Sequence, residues 1–361
     1  MTHYLKTEKF LLIAVLTALL AFPLEHAVLA AGQVAALTAA LVLIGVILLA
    51  SQRVAHHAEL LAIRFGEPYG TMLLTLSAVT VEVVLLAVIM LQSPAPTLVR
   101  DTIYSALMLD INGILGLAAI LGGLRYGEQP YNVDSGTSYI VMILTAIGVS
   151  MVIPELIPVA SWHAYSIFTI IVMLLLYAMF LRLQTTRHSY FFSYTYSSPG
   201  DADDAHEREH IAVLPSVVLL LVGIVLIGLL SEVMSQTLHE GLAGTRVPPI
   251  AVALVVATIS ASAEILTALR GALGNRMQSV VNIALGASLS TVILTVPVME
   301  AIALFTGHPM ALGLSPVQTA MLLLTLLAAS INLSDGETNA IEGMTHFVLF
   351  LTFLMVSALR L

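Results

Sequence analysis

Two glutamates lie in stretches that are otherwise apolar. Glu82 is in TLSAVTVEVVLLAV and Glu264 is in TISASAEILTAL. A charged side chain in such a helix is costly; where one is kept, it faces a bundle interior or a wet cavity and marks an ion or proton path. Both are preceded by hydroxylated residues, Ser77 and Thr80 in one case and Ser260 and Ser262 in the other. Residues four and seven back share a helical face. That spacing puts Ser260 on the face of Glu264, and Thr75 on the face of Glu82.

The segment after Glu264 reads GNRMQSVVNIALGASLS, where Asn275, Ser279, Asn282, Gly286 and Ser290 recur at steps of four, three, four and four. This is one polar, small-residue stripe on an apolar helix. Small residues let helices approach closely, which accounts for the glycine. The two asparagines add amide oxygens. After Glu82 comes YSALMLDINGILGLAAILGG, where Ser105, Asn112, Gly116 and Gly123 share a face. Asp110 lies about 200° round from Asn112 at roughly 100° per residue. Either that helix is irregular or Asp110 serves another cavity.

Carboxylates, amides, hydroxyls and backbone carbonyls are oxygen ligands suited to hard cations such as calcium or sodium. Two carboxylates match the charge of one divalent ion, and also two protons. Desolvation favours the protonated carboxyl and a bound cation favours the ionised one. Cation binding then releases protons, and cation release takes them up, with no further catalytic group and no resident cofactor. Ca2+ or Na+ suits this ligand set, with H+ as the counter-ion.

Other polar residues give weaker signals. His56, His57 and Glu59 lack the HExxH spacing of metalloproteases and fit an interfacial loop. His346, in the last helix, fits a proton relay or a hydrogen-bonded core histidine equally. Glu232 is expected at the end of the seventh helix and Glu67 at the start of the third, as vestibule or capping residues; Glu155 lies between two prolines. There is no Walker loop or nucleotide fingerprint, which argues against an ATP-driven pump, a nucleic-acid partner or an enzyme. The chain has no cysteine, so disulfides and thiolate ligands are excluded.

These residues need a membrane around them. Of 361 residues, 59% are hydrophobic and 10% charged, against about 25% charged in soluble proteins. The chain reads as an all-α polytopic membrane protein of about eleven helices, near 10–29, 33–51, 69–92, 102–122, 137–157, 164–183, 211–234, 247–270, 279–304, 314–332 and 342–360. The first run has no convincing cleavage site and is expected to be a retained span. Pro154 and Pro158 hinge the fifth and sixth spans.

With eleven spans, Lys6, Lys9, Arg53, Arg64, Arg125, Arg182, Arg187, Arg208, Arg270 and Arg276 fall on the side of the N-terminus, and only Arg100, Arg246 and Arg360 on the other. The positive-inside rule then predicts a cytoplasmic N-terminus and a C-terminus outside. Residues 184–210 form a hydrophilic acidic linker on the cytoplasmic side, either plain solvated chain or a calcium-sensing segment. Glu82 and Glu264 lie five spans apart, hence in helices of opposite direction. That is the pattern of an inverted repeat. A passive cation channel and a sodium-driven calcium exchanger are the competing readings.

The stretches GEPYGTMLLTLSAVTVEV, SPAPTLVRDTIYSALM, SASAEILTALRGALGNRMQSVVNIALGASLSTVILTVPV and DGETNAIEGMTHFVLFL resemble bacterial calcium/proton antiporters of the CAX branch, ChaA-type, in the cation/calcium exchanger superfamily. The resemblance covers nearly the whole chain. It implies one extra N-terminal helix, in 1–32, and two inverted five-helix repeats, in 33–183 and 211–361, in a bacterial inner membrane. It also implies that Glu82 and Glu264 stand where the essential glutamates stand, completed by the helices after them. ChaA-type members are also associated with sodium and potassium exchange. Where many relatives have Gly-Asn-Ala before each glutamate, this chain has Ala78-Val79-Thr80 and Ser260-Ala261-Ser262, and Met108-Leu109 replaces a usual Gly-Ser. Asp110 is outside the family pattern. Expected partners are small cations, protons and lipid, with a homo-oligomer compatible with the sequence.

Overall fold

The computed structural model describes residues 8–65, 69–93, 95–185, 190, 212–245 and 247–359. Among them the chain is a run of helices: α1 (Lys9–Ala30), α2 (Gln33–Phe65), α3 (Tyr69–Gln92), α4 (Leu98–Tyr126), α5 (Val133–Leu156), α6 (Trp162–Thr185) and α7 (Val213–Leu242). There follow α8 (Pro249–Ser260), α9 (Ser262–Leu273), α10 (Met277–Thr306), α11 (Pro316–Asn332) and α12 (Ala340–Ala358). Nine of these are long and apolar enough to cross a membrane, and α8 with α9, bent by 61° at their junction, make a tenth. α11 is also apolar but has 17 residues. The chain is therefore a helical, multi-span membrane protein; the expected tenth span, 314–332, falls on this shorter helix, so among the described residues the long apolar spans number nine or ten and not eleven.

Hydropathy ends two helices too early. α2 runs on to Phe65, so His56 and His57 lie in a helix and not in an interfacial loop. Val54, Ala58 and Leu61 carry the buried face through this polar stretch, each no more than 2% exposed. α7 likewise continues to Leu242, which puts Glu232 inside the helix and not at its end. Buried Val233, Met234, Thr237, Leu238 and Gly241 keep its apolar stripe going. A helix boundary in a bundle follows the packed face, and mean hydropathy misses that face once the other side turns polar.

The chain divides into two compact units, each drawing helices from both halves of the sequence. One comprises Met1–Pro94 and Gly200–Val247, and so holds α1, α2, α3 and α7. Here α2 lies along α7, and a Cβ on Gly241 would come within 2.8 Å of the Leu37 backbone. Gln33 Nε2 donates to Gly241 O at 3.2 Å and to Ala243 O at 2.7 Å. At the start of α1, Arg53 pairs with Glu8, its Nε 3.1 Å from Oε2, and His57 Nε2 lies 3.3 Å from the same oxygen.

The second unit comprises Ala95–Pro199 and Pro248–Leu361. Its interior helices are α4 and α10, with 78% and 67% of their apolar windows buried, against at most 39% in any other span. Both change winding partway. α4 is π-helical over Met108–Ile114 and α10 over Thr291–Thr295. α5 passes through a π segment at Gly148–Val152 and a 3-10 turn at Ile153–Leu156 before Pro158. α12 lies tightly on α4. A Cβ on Gly343 would meet Ile120 N at 2.6 Å and Gly116 O at 2.7 Å. A two-residue antiparallel ladder, β1 (Gln129–Pro130) with β2 (Glu337–Thr338), joins the loop after α4 to the loop before α12. The acidic residues of the linker, Asp201 to Glu209, fall outside the described residues.

Two predictions follow from this packing. Gly343→Leu forces α12 off α4 and lowers the thermal midpoint in detergent by several degrees, whereas Gly32→Ala, with nothing within 4 Å, is limited to backbone strain; an unchanged midpoint for Gly343→Leu would contradict the close crossing. Burial pushes the Glu8 carboxyl up, but the Arg53 guanidinium and His57 outweigh it and hold it below the ordinary 4.5. Its contribution to stability is complete above that ordinary value and is lost as pH falls through the lowered one. Glu8→Gln should therefore be less stable than wild type near neutrality, with the gap closing in acid.

Candidate functional site

Glu264 sits just past a break between two apolar helices that are together long enough to cross a membrane. α8 ends at Ser260, the direction turns by 61°, and Glu264 lies in the first turn of α9. The amides that open a helix favour an adjacent negative group. A helix interrupted inside a span also bares polar backbone, which is tolerated where it lines a cavity. Ser260 Oγ donates back to Ala257 O at 3.0 Å, while the buried Ser262 hydroxyl, two residues before the glutamate, has no hydrogen-bond partner. Glu264 itself is half-buried.

α9 packs on α4 and α10, the two interior helices of this unit. They are joined by a polar contact there: Ser288 Oγ of α10 donates to Asp110 Oδ2 of α4 at 3.3 Å, and Asp110 is 2% exposed. The two alternatives left open for Asp110 therefore both hold. The helix is irregular, since the Leu115 amide reaches back to Asp110 O across a π turn, and Asp110 faces a different neighbour from Asn112. π segments of this kind occur frequently at functional sites.

Asn112 turns the other way. Its Nδ2 donates to Thr325 Oγ1 of α11 at 2.7 Å, and its Oδ1 lies 3.0 Å from His346 Nδ1 of α12. The amide thus has its donor and acceptor engaged within a buried triad, with Gly116 and Gly123 of the same stripe packed against α12. His346 donates through Nδ1, which leaves Nε2 as the buried nitrogen without a partner.

The stripe on α10 also divides. Asn275 precedes the helix at φ 55° and accepts from Gln129 Nε2 at 2.9 Å; it and Ser279 are exposed. Asn282 Oδ1 accepts from Gln278 Nε2 at 2.8 Å, and Gln278 also donates to Ser135 Oγ at 3.0 Å. A Cβ on Gly286 would be 3.5 Å from the Tyr139 hydroxyl, and Ser290 Oγ bonds back to Gly286 O at 2.7 Å. The stripe thus runs from an exposed turn into the core, and the hydroxyl that reaches α4 belongs to Ser288, off the stripe.

In the other unit, Glu82 lies within unbroken α3 and is 7% exposed. Ser77 Oγ donates to Leu73 O at 2.7 Å and Thr80 Oγ1 to Leu76 O at 2.6 Å, so both hydroxyls are spent on their own helix; Thr75 is half-buried. Glu232 is half-buried in α7 and Glu155 is exposed, while Glu67 lies outside the described residues. Sequence reasoning missed Ser288, Gln278, Thr325 and the buried Glu300 of α10. A lone Ser or Thr in an apolar helix has no periodic signal, and Gln278 was hidden inside the longer stripe.

A family model described as sodium/calcium exchanger protein matches residues 34–186 and 215–359. The chain is 32% identical over 319 residues to the sodium-potassium/proton antiporter ChaA of Escherichia coli (strain K12), covering 87% of each. It is 29% identical over 243 residues to the Ca(2+)/H(+) antiporter ChaA of Bacillus subtilis (strain 168), covering 64% of this chain and 67% of that one. Among solved structures, native YfkE superposes with a TM-score of 0.70 at 20% identity, over 93% of this chain and 99% of that one.

The buried triad makes its own prediction. Asn112→Leu strands the His346 and Thr325 groups, at about 1–3 kcal/mol for each buried group left unpaired. The thermal midpoint should fall, and Asn112→Leu combined with His346→Leu and Thr325→Val should recover part of the loss. A triple variant no better than the single one would contradict the triad.

Proposed function

The chain belongs to the sodium/calcium exchanger protein family, and from that premise we propose that it is a secondary antiporter, exporting Ca2+, or Na+ and K+, from the cytoplasm in exchange for protons. Glu82 and Glu264 are the groups that alternate between cation and proton. The observation that carries this reading is the position of Glu264, in the first turn after a 61° break in a membrane-crossing helix. A carboxylate there is surrounded by helix-end amides and carbonyls that can replace part of an ion's hydration shell. A charge held within a membrane protein is costly, so on this reading Glu264 is ionised when a cation is bound and protonated when none is. Two such groups carry two protons one way or one divalent ion the other. Asp110 and Ser288, on the helices against which α9 packs, add oxygen ligands of the same hard type.

The names of the relatives support both cation choices, with sodium and potassium in one and calcium in the other. The missing Gly-Asn-Ala before each glutamate is where selectivity would differ. The ten-to-three sorting of basic residues supports a cytoplasmic N-terminus, and the bacterial relatives support a plasma-membrane location. The two matched segments, 34–186 and 215–359, support an arrangement of two repeats worked by alternating access.

Everted vesicles test the proposal directly. Wild type should accumulate Ca2+, Na+ or K+ when a pH gradient is imposed. Glu264→Gln and Glu82→Gln should each abolish this while the protein stays in the membrane and elutes as a folded species. Full uptake by either variant overturns the assignment of that glutamate. Accumulation indifferent to the pH gradient overturns antiport.

A further inference from the structure

Glu300 lies in the last part of α10 and is 3% exposed, a third buried carboxyl on the two interior helices of its unit beside Asp101 and Asp110 of α4. It is twelve residues beyond Ser288, so roughly 15–18 Å along the helix from the Asp110 contact, and it belongs to a different place in the bundle. One of its oxygens, Oε2, is buried with no hydrogen-bond partner. The neighbouring polar group is the Ser166 hydroxyl of α6, which donates to the carboxyl. α6 also brings the Tyr165 phenol close, but that hydroxyl is committed to Val149 O at 2.7 Å. His163, one turn earlier on α6, is exposed, and Glu155 at the end of α5 is exposed. On α4, Arg100 is paired with Asp101 at 2.9 Å. No Lys, Arg or His among the described residues forms an ion pair with Glu300.

A carboxylate with that burial, one serine and no cation is expensive as an anion and inexpensive as an acid. We propose that Glu300 is a proton-binding site of its own, occupied as a neutral carboxylic acid between α10 and α6 and loaded separately from the cation-binding glutamates. The step is a simple protonation: an O–H bond forms at Oε2 with a proton from the aqueous phase and breaks when the proton returns, with no change of oxidation state. Its charge state sets whether α10 stays against α6, since an ionised Glu300 must find water or a donor that the closed contact does not offer. For exchange, this adds a proton dependence that cation concentration does not compete away. That consequence rests on the antiport reading, whereas the protonation itself does not.

Infrared spectroscopy of the full protein in lipid decides the protonation. The wild-type minus Glu300→Gln difference near neutral pH should contain the carbonyl band of a carboxylic acid, unmoved when Ca2+ is added. Ser166→Ala should shift that band without removing it. If the difference contains the bands of an ionised carboxylate instead, the proposal is overturned. In proteoliposomes, Glu300→Gln should displace or flatten the pH profile of exchange, while cation binding at fixed pH stays within about threefold of wild type, as expected when a residue acts apart from the ligand. A Glu300→Gln profile that coincides with wild type assigns Glu300 a merely structural role and overturns the proposal. Wild type that exchanges no cation would refute the antiport reading and leave the infrared result to decide Glu300.

Discussion

The molecule is organised by the cost of a carboxylate removed from water. Each acid in or beside the helices meets that cost differently. Glu8, at the start of α1, has Arg53 and His57. Asp101, near the beginning of α4, is 6% exposed and collects Arg100, Thr97 and Gln318, all at about 3 Å. These are permanent solutions, and they hold helix ends together. Elsewhere the solution changes. Asp110 accepts from a serine, Glu300 from another serine, and Glu264 stands at the opening of a broken helix. A hydroxyl or an amide dipole stabilises a carboxylate while leaving it able to take up a proton, and that ability is what the exchange proposed for Glu82 and Glu264 requires.

Backbone irregularity lies close to these acids. The π segment of α4 carries Asp110, that of α10 begins just past Ser288 and Ser290, and the break between α8 and α9, at Ala261, precedes Glu264 by three residues. A regular α-helix in an apolar medium uses nearly all its own amides and carbonyls. Only where the winding changes are some of them left for an ion or for a partner helix. The regular parts have the opposite role. Gly116 and Gly343 let α4 and α12 touch backbone to backbone, and the Asn112–Thr325–His346 triad locks the same region. Rigid crossings next to irregular turns allow the polar groups at those turns to rearrange while the bundle stays assembled.

Much of this could be read in the sequence, for a physical reason. Spans were legible because an apolar run of that length has no alternative use; α3 is found at the limits expected, and most others lie within a few residues. α2 and α7 were cut short because hydropathy averages over the helix, and their buried faces continue after the exposed face turns polar. The two glutamates were legible because a lone charge in an apolar run stands out. The stripe on α10 was legible as a pattern but not as a site. Periodicity marks which residues share a face, not which neighbour that face meets, and Asn275, Asn282 and Ser290 serve three different neighbours. Asp110 and Asn112 lie two residues apart on opposite sides of a π turn, and no period announces that. Ser288 and Glu300 carry contacts that only the packing of α10 against α4 and α6 creates.

The central claim is that the same carboxylates hold either protons or a cation. Proton release on cation binding measures this without any membrane or gradient. Purified protein in weakly buffered detergent solution, with a pH indicator, is titrated with Ca2+, Na+ or K+ near neutral pH. The account predicts that the transported cation binds and protons appear in the medium with the same saturation curve, and that a Glu82→Gln, Glu264→Gln double variant releases none. Saturable cation binding with no accompanying proton release would contradict it.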